Sequence, residues 1–454
     1  MIQAPNRWLL FQYAMLALPV AFAGLPLYVH APDFYTQHLG LGLGAIGIIL
    51  LVVRLFDAIQ DPIIGYLSDL YPAHRNHILM SGIALLTLGL FALFFGPQFT
   101  VATSVWFAAS MILATTGFSV VVINLNMIGG FWSADKNQRT RIAGWRESFT
   151  LFGLLIASIL PSVLLISTDA AQAFKGLFFV YFALMIVAWI LFLQFLKRAD
   201  LTHLNQAKTA IGNPFFQILQ DKQRLFFLTY LLTQIAASLP AVLIIFFVRD
   251  YLHAESYTGL FLFLYFISGA ALMQLWFVLS KRLDKYRAWL ISMLLSVAVF
   301  IWVILLTPGD VVSYGIICML SGFALGADLA LPASIIADRI NARKAESRAT
   351  QYYGVMAFIP KLALAIASGC AFLMLDSVGF IVAATNTEIA MNTLLMLYGL
   401  VPCIIKFLAA ICLTILIKTQ IKTQGENDET VRNGTIQNES IQKRSNNHGA
   451  YDVS

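Results

Sequence analysis

Charge is what this sequence has least of. Asp, Glu, Lys and Arg make up 11% of its 454 residues against 59% hydrophobic residues, and the mean hydropathy is +0.79. A soluble domain needs far more polar surface than this, so the solvent for most of the chain is lipid. Recognisable catalytic apparatus is missing too: there is no glycine-rich phosphate loop, no cysteine or histidine metal spacing and no nucleophile elbow. Those absences exclude an ATP-driven mechanism in this chain and argue against an enzyme or a resident cofactor. The four cysteines, Cys318, Cys370, Cys403 and Cys412, all lie in apolar segments and read as small packing residues. The histidines are scattered, mainly in loops and the tail.

What the chain has in abundance is apolar runs of membrane-spanning length. A spanning helix needs roughly 20 mostly apolar residues, and the spacing predicts twelve, over 8–30, 42–68, 77–96, 100–128, 142–166, 175–196, 224–248, 256–280, 288–307, 311–337, 350–374 and 391–417. The first reads as a retained helix, because no small-residue cleavage site follows it. The net charge of +6 does not indicate a nucleic-acid partner, since the basic residues sit in alternate loops. Arg75, then Lys136, Arg139 and Arg141, then Lys197 to Arg224, Lys281 to Arg287 and Arg339 to Arg348 occupy every second connection, with Lys175 and Arg249 as the main exceptions. By the positive-inside rule both termini are expected in the cytoplasm, with the protein in a bacterial inner membrane.

The longest polar interval inside the membrane region divides six spans from six. The expected organisation is a six-helix bundle over 1–196, a linker over 197–223, a second six-helix bundle over 224–418 and a disordered tail over 419–454, too polar to bury a core. Internal echoes support two repeated halves. Leu18-Pro19-Val20 resembles Leu239-Pro240-Ala241, and the loop from Asp135 to Arg139 resembles that from Asp338 to Arg343. Prolines 19, 26, 62, 240, 332, 360 and 402 lie inside spans, where ordinary kinking explains most of them.

Ionisable groups inside a span are expensive and are functional candidates by default. In the second span Arg54, Asp57 and Asp61 are spaced by three and four residues and so share a helical face. Two carboxylates one turn apart supply oxygen ligands for Na⁺ or a site that holds a proton. Arg54 is read as their charge partner. A purely structural ion-pair network is the alternative. Gly65, Asp69 and Arg75 then form a small-residue contact with an acid and a base at the cytoplasmic end, a simple helix cap from the residues alone, which also resembles the gating loop motif of the major facilitator superfamily. Asn124 in the fourth span can ligate a cation or bond between helices. Arg146, Lys361, Gln234, Asp328 and Tyr28 are candidate substrate contacts, although Arg146 can equally lie at the membrane surface and Tyr28 can be an interface anchor. Lys406 sits mid-span with no partner evident from the sequence.

The motif Arg54-x-x-Asp57-x-x-x-Asp61-Pro62-x-x-Gly65 resembles that of the glycoside–pentoside–hexuronide:cation symporters, a melibiose-carrier-like branch of the major facilitator superfamily. Similarity extends from Phe34-Tyr35 and Gly40-Leu41 to Asp135-Lys136, Arg146, Ala337-Asp338, Glu346-Ser347 and Lys361. The resemblance implies an all-α membrane protein of twelve transmembrane helices in two six-helix bundles, moving Na⁺ or H⁺ together with a sugar by alternating access. By position, Asp57 and Asp61 match cation-site carboxylates, Arg146 a sugar-contacting arginine, and Lys361 a lysine near both sites. Two departures stand out: Ala21 and Asn124 occupy positions that are acidic in the family's galactoside carrier.

The expected function is therefore secondary active symport of a sugar or glycoside-like solute, by a protein that works as a monomer in the lipid bilayer. A lysophospholipid or organic-anion substrate is one alternative, and a non-transporting membrane receptor is another.

Overall fold

A bilayer offers backbone amides no water to bond with, and the chain meets this with helix almost throughout. The computed structural model describes residues 6–27, 31, 35, 39, 41, 43–96, 102–133, 135–167, 170–199, 201, 224–343, 345–381 and 385–419. Tyr28, the greater part of the expected linker and the tail beyond residue 419 lie outside the described residues.

Ten described helices are long and apolar enough to cross a bilayer, and one further pair, bent by 44° at Leu272, makes an eleventh span. The 28-residue helix Leu43–Leu70 completes the expected twelve. In chain order they are α1 (Arg7–Ala14 continued as Ala17–Leu25), α2 (Leu43–Leu70), α3 (Arg75–Phe95), α4 (Thr103–Phe131), α5 (Lys136–Ser167) and α6 (Ala170–Arg198). The second set is α7 (Arg224–Phe246), α8 (Thr258–Ala271 with Met273–Leu283), α9 (Lys285–Phe300), α10 (Val311–Ala342), α11 (Ala349–Ser377) and α12 (Glu388–Leu395, carried through a π-helical turn to Thr419). Helices α5 and α10 reach about a turn further into the basic loops than their apolar runs do. Polar side chains at a membrane surface remain hydrated, so helix can continue where hydrophobicity stops.

The buried apolar residues fall into separate cores. One is drawn only from α1–α6 and the segment joining α1 to α2, and another only from α7–α12 and their connections. A third combines Ile64, Ile123 and Met127 with Tyr353, Val355 and Ile359 where α2 and α4 meet α11, and a fourth joins Ala143 and Leu151 to Ala270, Met273 and Ala330 where α5 meets α8 and α10. Along α2 the exposed side chains Ile48, Val52, Leu55, Ile59 and Ile63 form an apolar stripe at helical spacing. The buried face carries Asp57, Gln60, Asp61, Ser68 and Asp69. This inverts the pattern of a soluble helix, as lipid outside and polar groups inside require.

The end of the molecule that carries the basic loops is sealed by contacts between the two sets. Asp69 Oδ1 and Oδ2 accept from the Thr350 and Gln351 backbone N–H groups at 3.1 and 2.9 Å, so an acid of α2 caps the first turn of α11, where amides lack intrahelical partners. Arg75 approaches Asp69 at 3.6 Å and donates to Thr350 Oγ1 at 3.4 Å. Next to this layer, Asp338 of α10 pairs with Arg139 of α5 at 2.8 Å and with Lys285 of α9 at 2.5 Å. The repeated loop segments seen in the sequence thus touch across the two halves.

Glycine sets how closely α2 and α11 approach. A Cβ on Gly65 would lie 2.7 Å from Thr350 O, and one on Gly354 would lie 2.7 Å from Asp61 O. Gly65→Val is accordingly expected to force the crossing apart, at about 1–3 kcal/mol for overpacking of this kind. Its melting temperature in detergent should fall together with transport; an unchanged melting temperature contradicts this account of the crossing.

Candidate cation-binding and substrate-binding site

One turn beyond the Gly65 contact, α2 carries two carboxylates into the junction with α11 and α4. Pro62 follows Asp61 directly, and Pro360 precedes Lys361 in α11. Each proline removes a backbone N–H and clashes with the preceding turn, which favours a kink beside the charged residues. Lys361 Nζ lies 2.8 Å from Asp57 Oδ1 and 2.7 Å from Asp61 Oδ2. It also donates to Ser119 Oγ at 2.9 Å and to the Asp57 carbonyl at 3.2 Å. Asp57 Oδ1 accepts from Gln60 Nε2 at 2.9 Å and Ser119 Oγ at 3.2 Å, and Gln60 Oε1 accepts from Thr116 Oγ1 at 2.8 Å. A lysine of the second half is thereby clamped between two acids of the first.

Asp61 is wholly buried, and its environment differs from that of Asp57. Lys361 stands against its Oδ2 at 2.7 Å, whereas Asp57 carries a denser set of donors. A carboxylate offers about four lone-pair positions, so Asp61 retains capacity for a proton or a hard cation. Two buried acids that share one ammonium also favour the positive charge that such a ligand would bring.

Several expectations change at this point. Arg54 was expected as the charge partner, but its side chain is exposed, and Lys361 makes the close ion pairs with both acids. Lys361 therefore belongs to the carboxylate cluster more than to a substrate surface. Asn124, expected as a cation ligand, is buried against Ser68, donating to Ser68 Oγ at 3.1 Å and to the Val120 carbonyl at 2.9 Å. Ser68 lies two turns beyond Asp61, which puts Asn124 on a different level. The α4 residues at the cluster are Ser119 and, through Gln60, Thr116. Sequence reading passed over them because single hydroxyls in apolar helices are common; their three-residue spacing on one face was the available signal.

Arg146 is buried on α5 rather than lying at a surface. Its Nε donates to Glu147 Oε1 at 3.0 Å, and a second guanidinium nitrogen contacts the same oxygen. Tyr13 of α1 and Tyr230 of α7 lie within electrostatic reach of both charges. Tyr13 Oη donates to the Leu125 carbonyl at 2.8 Å, while Ser148 next to the pair donates to the Ala270 carbonyl of α8 at 3.4 Å. The pair thus sits where α5 faces the second half. A fork of donors beside a carboxylate acceptor, among tyrosines, is suited to vicinal hydroxyls. Glu147 was overlooked as a site residue, although an acid directly beside a mid-chain arginine was visible in the sequence.

In the second half, Asp328 of α10 pairs with Lys406 of α12 and accepts from Trp289 Nε1 of α9 at 3.0 Å. This supplies the partner of Lys406 that the sequence left open, and it places Asp328 in an ion pair lining a mostly apolar cavity of about 120 Å³. Gln234 is half-buried on α7.

The same architecture occurs in known transporters. The outward-facing structure of a bacterial homologue of the iron transporter ferroportin superposes with a TM-score of 0.70 over 90% of this chain and 98% of that one, at 15% identity. An uncharacterized symporter, YjmB, of Bacillus subtilis (strain 168) is 22% identical over 388 residues, 82% of this chain and 84% of the relative. The isoprimeverose transporter of Lactiplantibacillus pentosus is 23% identical over 419 residues, 84% of this chain and 82% of the relative. The model of the MFS/sugar transport protein family matches residues 10–418, a stretch that contains every charged pair described above and all twelve helices but the first three residues of α1 and the last of α12. This chain is therefore a membrane transporter of the major facilitator fold, not an enzyme, and it belongs to the MFS/sugar transport protein family.

Proposed function

We propose that this protein is a secondary active symporter that moves Na⁺ or H⁺ together with a neutral sugar or glycoside by alternating access. The observation that carries the proposal is the charge balance of its buried groups. Among the ion pairs of the described residues, Asp57 and Asp61 share the single ammonium of Lys361, whereas Arg146 and Lys406 are each matched by a carboxylate. The first site calls for a cation. The second and third present hydrogen-bonding groups with no net charge, which suits hydroxyls better than an anionic headgroup.

Coupling follows from where the cluster sits. Asp57 and Asp61 belong to α2 and Lys361 to α11, so their attraction helps hold the two halves together. A cation on the carboxylates competes with Lys361 and alters that attraction, and a solute bound near Arg146 and Glu147 acts on the same junction through α5. Each ligand then changes the affinity for the other by an equal factor. The names of relatives, a symporter and an isoprimeverose transporter, agree with this reading. The alternating basic loops support both termini in the cytoplasm, and the bacterial source of the relatives supports a bacterial plasma membrane. We place function in the monomer, whose two halves enclose these groups.

Uptake into vesicles under imposed Na⁺ or proton gradients, across a panel of solutes, tests the proposal. Neutral sugars and glycosides should be accumulated, and lysophospholipids and organic anions should neither be carried nor compete. Competition by lysophospholipids alone would replace the sugar with an amphiphilic substrate. Absence of flux under both gradients would favour a receptor.

A further inference from the structure

Helices α1 and α6 run antiparallel and are pinned together where Gln12 Nε2 donates to Gln194 Oε1 at 2.8 Å. Tyr13 packs on Phe195 beside this bond, with ring centroids 5.5 Å apart. One turn further toward the end of the molecule that carries the basic loops, α1 presents Trp8 and α6 presents Lys197 and Arg198, while Arg7 opens α1. All four side chains are exposed, the Trp8 indole to 49%. Gln194 is exposed as well, and its bond to Gln12 uses the carbonyl oxygen and not the amide donors.

Two features set this groove apart from the rest of the basic end. Elsewhere the buried cations are answered by carboxylates, Arg75 by Asp69 and both Arg139 and Lys285 by Asp338. Neither α1 nor α6 contains an Asp or Glu; the next acid in the sequence, Asp200, lies outside the described residues. The second feature is the surface that leads into the cations. Ile186, Ile190 and Leu193 are exposed at spacings of four and three residues along α6, and Gln194 and Lys197 continue the row. An apolar stripe that passes into an amide and then into cations matches a phospholipid standing in its leaflet, acyl chain first, then glycerol esters, then phosphate. A water-soluble anion would engage the cations alone and leave the stripe without a role. Trp8 stands where the stripe turns polar, the level that indole rings favour at a membrane interface.

We infer that the α1–α6 groove binds an anionic phospholipid of the cytoplasmic leaflet. Its phosphate meets Arg7, Lys197 and Arg198, its glycerol region meets Gln194 and Trp8, and one acyl chain lies along Ile186, Ile190 and Leu193. The leaflet follows from the orientation proposed above, whereas the site is independent of which solute is transported.

Native mass spectrometry of the purified full chain in a non-ionic detergent tests this, with dioleoylphosphatidylglycerol and dioleoylphosphatidylethanolamine as probes. The two share their acyl chains and differ in charge. Phosphatidylglycerol should bind at least about ten-fold more tightly, since each Lys or Arg near an anionic headgroup contributes about five-fold. Arg198→Gln, a single exposed change, should weaken its binding about five-fold, and Arg7→Gln, Lys197→Gln and Arg198→Gln together about a hundred-fold. Removing the same charge elsewhere at this end, by Lys281→Gln, Arg282→Gln and Arg287→Gln, should change it by less than about two-fold, because exposed charges beyond a Debye length are screened. Equal binding of the two lipids by the natural protein overturns the inference. So does phosphatidylglycerol binding that survives Arg198→Gln undiminished, or an equal loss in the Lys281, Arg282 and Arg287 variant, which would make the effect one of overall charge. Displacement of the lipid by millimolar inorganic phosphate overturns it in favour of a soluble anion.

Discussion

Lys361→Met is expected to destabilise the protein by about 3–5 kcal/mol, the range for removing one partner of a buried ion pair, and to abolish uphill uptake. The substitution keeps the unbranched, flexible stem but leaves Asp57 and Asp61 facing each other without the ammonium now 2.8 and 2.7 Å away. Burial and mutual repulsion would then favour protonation of one acid. The contact between α2 and α11 would lose its central attraction while retaining the glycine crossing at Gly65 and Gly354. Adding Asp61→Asn should restore much of the melting temperature, because the remaining Asp57 keeps Gln60 and Ser119 as donors. It should not restore accumulation, since a cation ligand has gone. This pattern separates charge balance from coupling. A Lys361→Met variant with unchanged melting temperature and full accumulation would show that the lysine merely fills space.

Much of this architecture could be read from the chain, because membrane physics writes it in long apolar runs and alternating basic loops. The twelve segments and the mid-span placement of Asp57, Asp61 and Lys361 were all visible in that way. Pairing was not. Arg54 stood at helical spacing from both acids, yet the lysine that meets them is some three hundred residues away. Spacing reports neighbours on one helix, whereas the partner of a buried charge usually comes from another. The same limit hid Lys406 as the partner of Asp328 and gave Asn124 a level on α4 that belongs to Ser119. Glu147 was hidden differently: adjacent residues on a helix point about 100° apart, so a salt bridge between them depends on the long, flexible arginine folding back.

The second large effect is expected at the acids themselves. Asp61→Asn is close in shape, removes the charge and replaces one carboxylate oxygen with an amide donor. Asp57→Asn removes the carboxylate that Ser119, Gln60 and Lys361 converge on. In both variants substrate should still equilibrate across the membrane, since Arg146 and Glu147 are untouched, but it should not be driven against its gradient. Binding of substrate should become insensitive to the coupling cation, which is the reciprocal of lost coupling. The central claim is most directly tested by uptake of a neutral sugar or glycoside into vesicles containing the natural protein or Asp61→Asn, with Na⁺ and proton gradients imposed separately. Accumulation driven by one of the two gradients in the natural protein, and simple equilibration in the variant, is the result expected from a buried carboxylate that binds the driving cation; full accumulation by Asp61→Asn would contradict it.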